Sequence, residues 1–263
     1  VMAGIGALCL AAAARLQSAA IRAGAMAIDA CRGSDTPLDP RLHEVRRQPG
    51  QAAVAAALRA ALAESTIIPS HKEDDPRVQD PYCLRAMAQV MGAAFDLIDW
   101  CRGVIERELG AVTDNPLIFP EPERPAFLSG GNFHGMPVAI ALDVLPQALC
   151  HLAGMAERRM YWLLKASDSE NPVHAYLSPD PGLHSGLMIV QYAAAACCNE
   201  LQTLCTPASV ANIPTSAGIE DYNSMGMTAG LQALAAVDRC REVLAMELLV
   251  MTEAMRYQRP LRS

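Results

Sequence analysis

The sequence predicts an all-α fold, a bundle of long, partly kinked helices joined by long functional loops. Hydrophobic residues make up 52% of the chain and aromatic residues only 5%, so the interior must be built mainly from Ala, Leu, Val and Met. Strands favour β-branched and aromatic side chains, whereas this composition suits packed helices. Apolar residues also recur at helical spacing between turn-forming segments. Length alone sets no internal boundary, and we predict one helical domain over residues 1–263.

The first 65 residues are predicted to hold two helices. Val1 to about Ala30 is apolar without a polar face, which indicates a helix that is buried on all sides. Pro49 to Ser65 carries Val54, Leu58 and Leu62 at spacings of four, which places the three side chains on one helical face.

A loop and a third helix are predicted next. Ile67 to Asp80 holds two prolines and a charged run, so we predict a solvated loop. Helix resumes near Cys83 and lasts to about Ala111, because the residue before a proline, here Pro116, avoids helical dihedrals. The turn formers of Leu117 to Ser129 leave room for a short strand.

Three further helices follow in the second half. Pro137, at a first helical position, begins a helix to about Lys165, which Pro146 should kink. Gly186 to Leu204 is almost wholly apolar and is predicted to be buried. Ser224 is predicted to cap the last helix. One apolar stripe runs along that helix: Leu244, Leu248, Met251 and Met255.

Charge and cysteine usage exclude several classes of protein. The formal net charge is −7 and no run of Lys or Arg is longer than Arg46-Arg47, so the sequence lacks the electrostatic footprint of a nucleic-acid-binding protein. Nine cysteines occur without a Cys-x-x-Cys pair or zinc spacing, which predicts reduced, buried thiols of a cytoplasmic protein and no metal site.

The apolar start of the chain raises the question of a membrane segment. Arg15 ends the uncharged run from Val1 to Ala14 too early for a membrane span, so we predict a buried helix and no membrane partner. The chain also begins in mid-helix pattern, and we interpret it as a fragment.

Candidate chemistry lies in the loops, because helix connections longer than about eight residues tend to be functional. Tyr82 and Arg85 stand one helical turn apart and hence on one face, and Arg suits a bidentate clamp on a carboxylate. Taken alone, such a spacing more often marks a surface pair.

Two further loops carry chemically versatile residues. Ser129–Gly135 surrounds Phe133 and His134 with glycines, which allow close backbone approach, although a plain turn explains them equally well. Glu220 and Asp221 precede a helix start, where one carboxylate can cap and the other stay free for chemistry.

Taken together and in order, five segments resemble the aromatic amino acid ammonia-lyase family, most closely its histidine branch. The segments are RVQDPYCLRAMAQVMG (77–92), TDNP (113–116), SGGNFHG (129–135), ERR (157–159) and IPTSAGIEDYNSMG (213–226). The resemblance covers essentially the whole chain. The sequence departs from the histidine branch in three places: at Cys83, at His184 and at the pair Gly218-Ile219.

The resemblance implies a lyase that converts L-histidine to urocanate and ammonia with a methylidene-imidazolone electrophile. That group forms from an Ala-Ser-Gly sequence, which does not occur in this chain, so we expect no turnover from the isolated chain. The resemblance also implies a helical homotetramer whose sites each draw on three subunits, or alternatively complementation by an N-terminal segment.

The resemblance also assigns roles to five positions. Arg85 matches the clamp of the substrate carboxylate, Tyr82 a catalytic phenol beside it, and Gln79 a polar neighbour of the electrophile. Phe133 matches an aromatic residue near the prosthetic group. Glu220 matches an acidic catalytic residue that faces the substrate, and an acid there suits imidazole rather than phenyl. Arg85 and Glu220 are thus expected to share a cavity.

Two alternatives stay open. One is a phenylalanine or tyrosine ammonia-lyase or aminomutase of the same family. The other is a non-catalytic scaffold subunit that keeps the fold without the reaction.

Overall fold

The computed structural model describes residues 1–73, 75, 77–168 and 171–263. Its helices are α1 (Met2–Ala30), α2 (Pro40–Arg46), α3 (Pro49–Ala61), α4 (Ile67–Ser70), α5 (Tyr82–Arg85), α6 (Met87–Leu109), α7 (Met136–Leu164), α8 (Met188–Leu204) and α9 (Gly226–Ala254). A small antiparallel hairpin joins β1 (Leu117–Phe119) to β2 (Ala126–Leu128). Short 3-10 turns are Thr36–Leu38, Ala175–Leu177, Ser216–Gly218 and Met255–Gln258. The predicted all-α fold is confirmed.

The long helices pack side by side, and α7 contacts each of α1, α6, α8 and α9. Gly6 of α1 lies against Ile105 near the end of α6, and Gly24 lies against Met87 at its start, so α1 and α6 are antiparallel. At the first turn of α1, Met2 lies against the glycines at the starts of α7 and α9, Gly135 and Gly226. Helices α1, α7 and α9 therefore run in the same direction, and one hydrophobic core joins them to α3 and α6.

Helices α3 and α6 approach backbone to backbone. A Cβ atom on Gly92 would collide with the backbone of Gly50 and Gln51, and a Cβ atom on Gly50 would collide with the carbonyl of Gly92. The crossing therefore requires glycine at both positions. This explains the glycine that ends the segment 77–92.

A fully buried ion pair joins α7 to α9. Arg159 Nε lies 2.5 Å from Glu247 Oε1, and Arg159 Nη2 lies 2.9 Å from Glu247 Oε2. Both side chains are completely buried. Burial alone would lower the pKa of Arg159, but the carboxylate of Glu247 raises it, so the guanidinium stays charged inside the core.

Several predicted boundaries differ from the structure. The predicted helix from Cys83 to Ala111 is divided at Ala86, whose backbone is non-helical (φ −102°, ψ 16°), and its second part ends at Leu109. The predicted helix to Ser65 ends at Ala61. Met225, with φ 50°, occupies the N-cap position that we predicted for Ser224. Helix α7 runs unbroken through Pro146, and the kink stays a prediction.

The prediction of a solvated loop from Ile67 to Asp80 is wrong in part. Ile67 and Ile68 are buried in the helical turn α4, and the side chains of His71 and Asp80 are also buried. The prediction relied on the charged run and overlooked the apolar residues Ile67 and Ile68 before it, which pack into the core. Asp74 and Pro76 lie outside the described residues.

The prediction that the segment 186–204 is buried is wrong for the single chain. Only Ala194 and Leu201 of α8 are buried, while Ile189 is 63% exposed and Tyr192 is 64% exposed. Helix α8 packs mainly on α7 and α9 along one face, and apolar side chains on the rest of its surface remain exposed. The apolar composition of α8 is therefore not explained by packing within one chain.

Among the described residues, two helices, α1 and α7, are long and apolar enough to cross a membrane by length and composition. The helix α1 continues through Arg15 to Ala30, as predicted, but the single charge of Arg15 does not make it too short or too polar to span a membrane, so that part of the sequence argument is wrong. Both helices pack against other helices of the core, as helices of globular bundles also do.

Candidate functional site

Three of the predicted site residues line one groove. Gln79, Tyr82 and Arg85 lie in an open cavity of about 660 Å³ beside the C-terminal end of α1. The short helix α5 presents Tyr82 and Arg85 one turn apart, as their spacing predicts. Ser34, Thr36 and other residues that follow α1 form the opposite wall.

The guanidinium of Arg85 is held by an aromatic ring rather than by an acid. Its Cζ atom lies 4.6 Å from the centroid of the Tyr82 ring, and Tyr82 is 71% exposed. Arg85 Nε is buried and has no hydrogen-bond partner among the described residues. The cation–π contact orients the guanidinium without neutralising it. Among the described residues its Nη atoms have no hydrogen-bond or ion-pair partner, so these donors, rather than the buried Nε, remain available to a carboxylate in the groove.

A network of ion pairs centred on Arg77 holds the groove in place. The guanidinium of Arg77 binds Asp168 at 3.1 Å and Asp80 at 3.5 Å, and it donates to the Cys31 carbonyl at the end of α1. Asp80 in turn accepts a 2.7 Å hydrogen bond from the backbone of Ser34. Sequence reasoning missed this network, although Arg77 and Asp80 both lie in the segment 77–92.

The other two predicted residues, Phe133 and Glu220, lie in the loops before α7 and α9. Phe133 is 57% exposed. The next residue, His134, donates from Nε2 to the Tyr222 carbonyl at 2.7 Å and accepts from the Met136 backbone at Nδ1. His134 therefore ties the two loops together.

Glu220 is exposed, and its Oε2 accepts a 3.0 Å hydrogen bond from the hydroxyl of Thr215. The expectation that Glu220 or Asp221 caps α9 is wrong, because the N-cap residue Met225 has no side-chain cap and the loop ends in a left-handed turn. Thr215 lies within the segment 213–226, but sequence reasoning did not predict its hydrogen bond to Glu220.

The groove that contains Arg85 and the loops that carry Phe133 and Glu220 lie at opposite ends of helix α1. Leu84 and Asp80 contact the residues just after α1, whereas the loops of Phe133 and Glu220 lead into helices that meet Met2 at its start. The 29 residues of α1 span about 42 Å. Glu220 lies only six residues before Gly226, a reach of about 20 Å at full extension. A single chain therefore does not bring Arg85 and Glu220 to one amino acid.

The cysteines form no disulfide among the described residues, and five of the nine are buried. Burial raises the pKa of Cys83 to about 11 and that of Cys9 to about 11, so both stay protonated thiols near neutral pH. In the described part of the chain, no group of three or more His, Cys, Asp or Glu residues is arranged to hold a metal ion.

The comparisons with known proteins agree in one family. The family model "Aromatic amino acid lyase" matches residues 1–263. The histidine ammonia-lyase of Anaeromyxobacter sp. (strain K) is 51% identical over 262 residues, which cover 99% of this chain and 51% of that protein. The chain therefore spans about half the length of the curated relatives it matches.

Two solved structures illustrate the range of similar folds. The histidine ammonia-lyase of Trypanosoma cruzi superposes with a TM-score of 0.89 at 36% identity, over 100% of this chain and 48% of that chain. The tyrosine aminomutase of Streptomyces globisporus also gives 0.89, at 32% identity, over 98% of this chain and 52% of that chain.

Proposed function

This chain belongs to the aromatic amino acid lyase family, and we propose that it forms part of a histidine ammonia-lyase, a carbon–nitrogen lyase that eliminates ammonia from L-histidine to give urocanate. One observation of the chain's own geometry carries the proposal. Arg85 presents an un-neutralised guanidinium in an open groove, beside the phenol of Tyr82. An amino acid carboxylate is a suitable partner for such a group.

Three groove residues have distinct roles in binding the substrate. Arg85 would hold the carboxylate through two parallel N–H donors, which fixes both the position and the orientation of the substrate. Tyr82 is exposed in the same groove and offers a hydroxyl close to that carboxylate. Gln79 supplies an amide that can donate and accept hydrogen bonds beside the reacting carbon and nitrogen.

Glu220 supports histidine as the substrate. A carboxylate accepts a hydrogen bond from an imidazole N–H and stabilises a protonated imidazole, whereas a phenyl ring offers neither interaction. A carboxylate placed against phenyl would lose its hydration without compensation. The neighbouring 51% identical relative is a histidine ammonia-lyase, in keeping with this choice.

The family's methylidene-imidazolone group has to come from residues outside this sequence, which contains no Ala-Ser-Gly. When present, the group supplies an electrophile for the substrate. The exposed amide of Gln79 and the exposed ring of Phe133 fit a role beside such a group, because one offers hydrogen bonds and the other an apolar surface.

Two observations support assembly of several copies: the separation of Arg85 and Glu220 within one chain, and the exposed apolar side chains of α8. We propose a homotetramer in which neighbouring copies supply the two ends of each site. A cytoplasmic location and the absence of membrane and nucleic-acid partners belong to the same proposal, on the basis of the reduced cysteines and the acidic charge.

Replacement of Glu220 by Gln tests the substrate. In the active enzyme that carries this chain, we expect Glu220→Gln to lower kcat/KM for L-histidine by on the order of 100-fold, because hydrogen bonds to charged groups contribute about 1.5–3 kcal/mol. Urocanate absorbance measures the rate. Asp221→Asn, a change at the adjacent exposed carboxylate, is the matched control and should leave the rate within about twofold.

The same assay separates the rival functions. An enzyme for phenylalanine or tyrosine, as the likeness to the tyrosine aminomutase allows, would keep its activity in Glu220→Gln and prefer those substrates. The purified chain alone should release no urocanate. Co-expression with a separate N-terminal half of the Anaeromyxobacter relative should restore activity to a lyase segment, whereas a scaffold subunit would stay inactive.

A further inference from the structure

The loop that carries Glu220 is closed on itself. The backbone N–H of Thr215 donates to the Glu220 carbonyl at 2.8 Å, and the N–H of Glu220 donates back to the Thr215 carbonyl at 3.3 Å. Between them, Ser216 (φ 51°), Ala217 (φ 55°) and Gly218 (φ 86°) are all left-handed. Two of these residues are not glycine, so contacts elsewhere must hold the loop in this conformation.

The Thr215 hydroxyl connects this loop to the carboxylate. Asn223 Nδ2 lies 3.3 Å from Thr215 Oγ1, and Thr215 Oγ1 lies 3.0 Å from Glu220 Oε2. An amide nitrogen only donates, so the hydroxyl oxygen accepts from Asn223 and donates its single proton to Glu220, where the carboxylate Oε2 at 3.0 Å is a closer acceptor than the backbone carbonyl at 3.4 Å. The hydrogen bonds therefore run in one direction, from Asn223 through Thr215 to Glu220.

Asn223 is itself held from both sides. Its backbone N–H donates to Asn212 Oδ1 at 2.8 Å, and its carbonyl accepts from Asn212 Nδ2 at 2.5 Å. Asn223 Nδ2 also donates to the Ile213 carbonyl at 2.7 Å, and its second N–H is shared between Thr215 Oγ1 and the Glu220 carbonyl, each 3.3 Å away. The reciprocal bonds with Asn212 fix the start of the hydrogen-bond relay before it reaches Thr215.

We propose that Thr215 is a positioning residue that orients the carboxylate of Glu220 toward the substrate ring, an inference that rests on the proposed function. The hydroxyl binds Oε2 and leaves Oε1 free for the imidazole. An exposed glutamate has three rotatable side-chain bonds, and this contact selects one orientation before the substrate arrives. The asparagine pair supplies the rigidity that the exposed loop would otherwise lack.

Three substitutions in the active enzyme that carries this chain test the proposal. Thr215→Val removes the hydroxyl and keeps the branched shape, and we expect kcat/KM for L-histidine to fall about tenfold. Thr215→Ser keeps the hydroxyl and should stay within about twofold of the parent. Thr215→Ala removes the hydroxyl without the added methyl group, so a misfolded valine variant does not decide the outcome.

A double-mutant cycle distinguishes positioning from loop stability. If Thr215 acts through Glu220, then adding Thr215→Val to Glu220→Gln should lower the rate no further. Losses that multiply in the double variant, or a serine variant as impaired as the valine variant, would overturn the inference.

The experiments distinguish a failure of the proposed function from a failure of the proposed role of Thr215. An enzyme in which Glu220→Gln leaves histidine turnover unchanged contradicts the proposed role of Glu220. An enzyme that is crippled by Glu220→Gln and unaffected by both Thr215→Val and Thr215→Ala retains the proposed function and refutes the positioning role alone.

Discussion

Replacement of Arg85 by Met is expected to lower kcat/KM for L-histidine by at least about 100-fold in the active enzyme that carries this chain. Two charge-assisted hydrogen bonds to the carboxylate are lost, each worth about 1.5–3 kcal/mol. The groove offers no second cation among its lining residues in the described chain. The loss should appear in both KM and kcat, because the clamp also sets the orientation in which the substrate reacts.

Two further variants make the result interpretable. Arg85→Lys keeps the positive charge but loses the planar fork, so it should recover only part of the loss. Arg102→Met, a change at a half-exposed arginine on α6 that faces Asp99, should leave the kinetics within about twofold. Parent-like kcat/KM in Arg85→Met would show that the carboxylate is bound elsewhere.

Replacement of Glu247 by Leu is expected to lower the free energy of unfolding by about 3–5 kcal/mol, because it leaves the fully buried guanidinium of Arg159 without its partner. Arg159 Nη1 already lacks a hydrogen-bond partner in the described chain, so the loss of Glu247 leaves the whole guanidinium without the hydrogen bonds that the carboxylate supplies at Nε and Nη2. A loss of this size is a large share of the stability of a typical domain. Urea denaturation followed by circular dichroism measures it.

The double variant Arg159→Met/Glu247→Leu provides the sharper comparison. Removal of both charges eliminates the buried unpaired ion, so the double variant should be more stable than Glu247→Leu alone. Arg241→Met breaks an exposed pair with Asp238 and should change stability by about 1 kcal/mol or less. Equal stability of Glu247→Leu and Arg241→Met would mean that the Arg159 ion pair is hydrated in solution.

Local sequence patterns were sufficient for the long helices. The repeat of Val54, Leu58 and Leu62 lies in the core, as do Leu244 and Met251 of the final stripe. Apolar residues at helical spacing identify the one face of a helix that is buried, and a few turns of sequence are enough to recognise it. They failed for α8, because its apolar sequence predicted burial that packing within the single chain does not provide.

Helix breaks depended on contacts that the sequence does not display. No glycine or proline near Ala86 marks a break, yet the helix is interrupted there between α5 and α6. The turn α4 was missed because four residues give too short a pattern for a periodic signal.

The candidate site was predictable in pieces. The spacing of Tyr82 and Arg85 placed both on one side of a helical turn, and the groove contains both. The contact between Thr215 and Glu220 depends on left-handed backbone at Ser216 and Ala217, which are not glycines and gave no warning of it. The resemblance suggested a cavity shared by Arg85 and Glu220, but only the course of α1 reveals that one chain keeps them apart.

Mixed oligomers of two inactive variants test most directly whether each site draws Arg85 and Glu220 from different copies. Copies with Arg85→Met and copies with Glu220→Gln are co-expressed, and urocanate formation by the mixed enzyme is measured. Random assembly predicts that about a quarter of the sites combine an intact Arg85 with an intact Glu220 from separate copies, which restores about a quarter of the parent activity. Activity that stays at the level of the separate variants would contradict the account, because it would mean that both residues of a site come from the same chain.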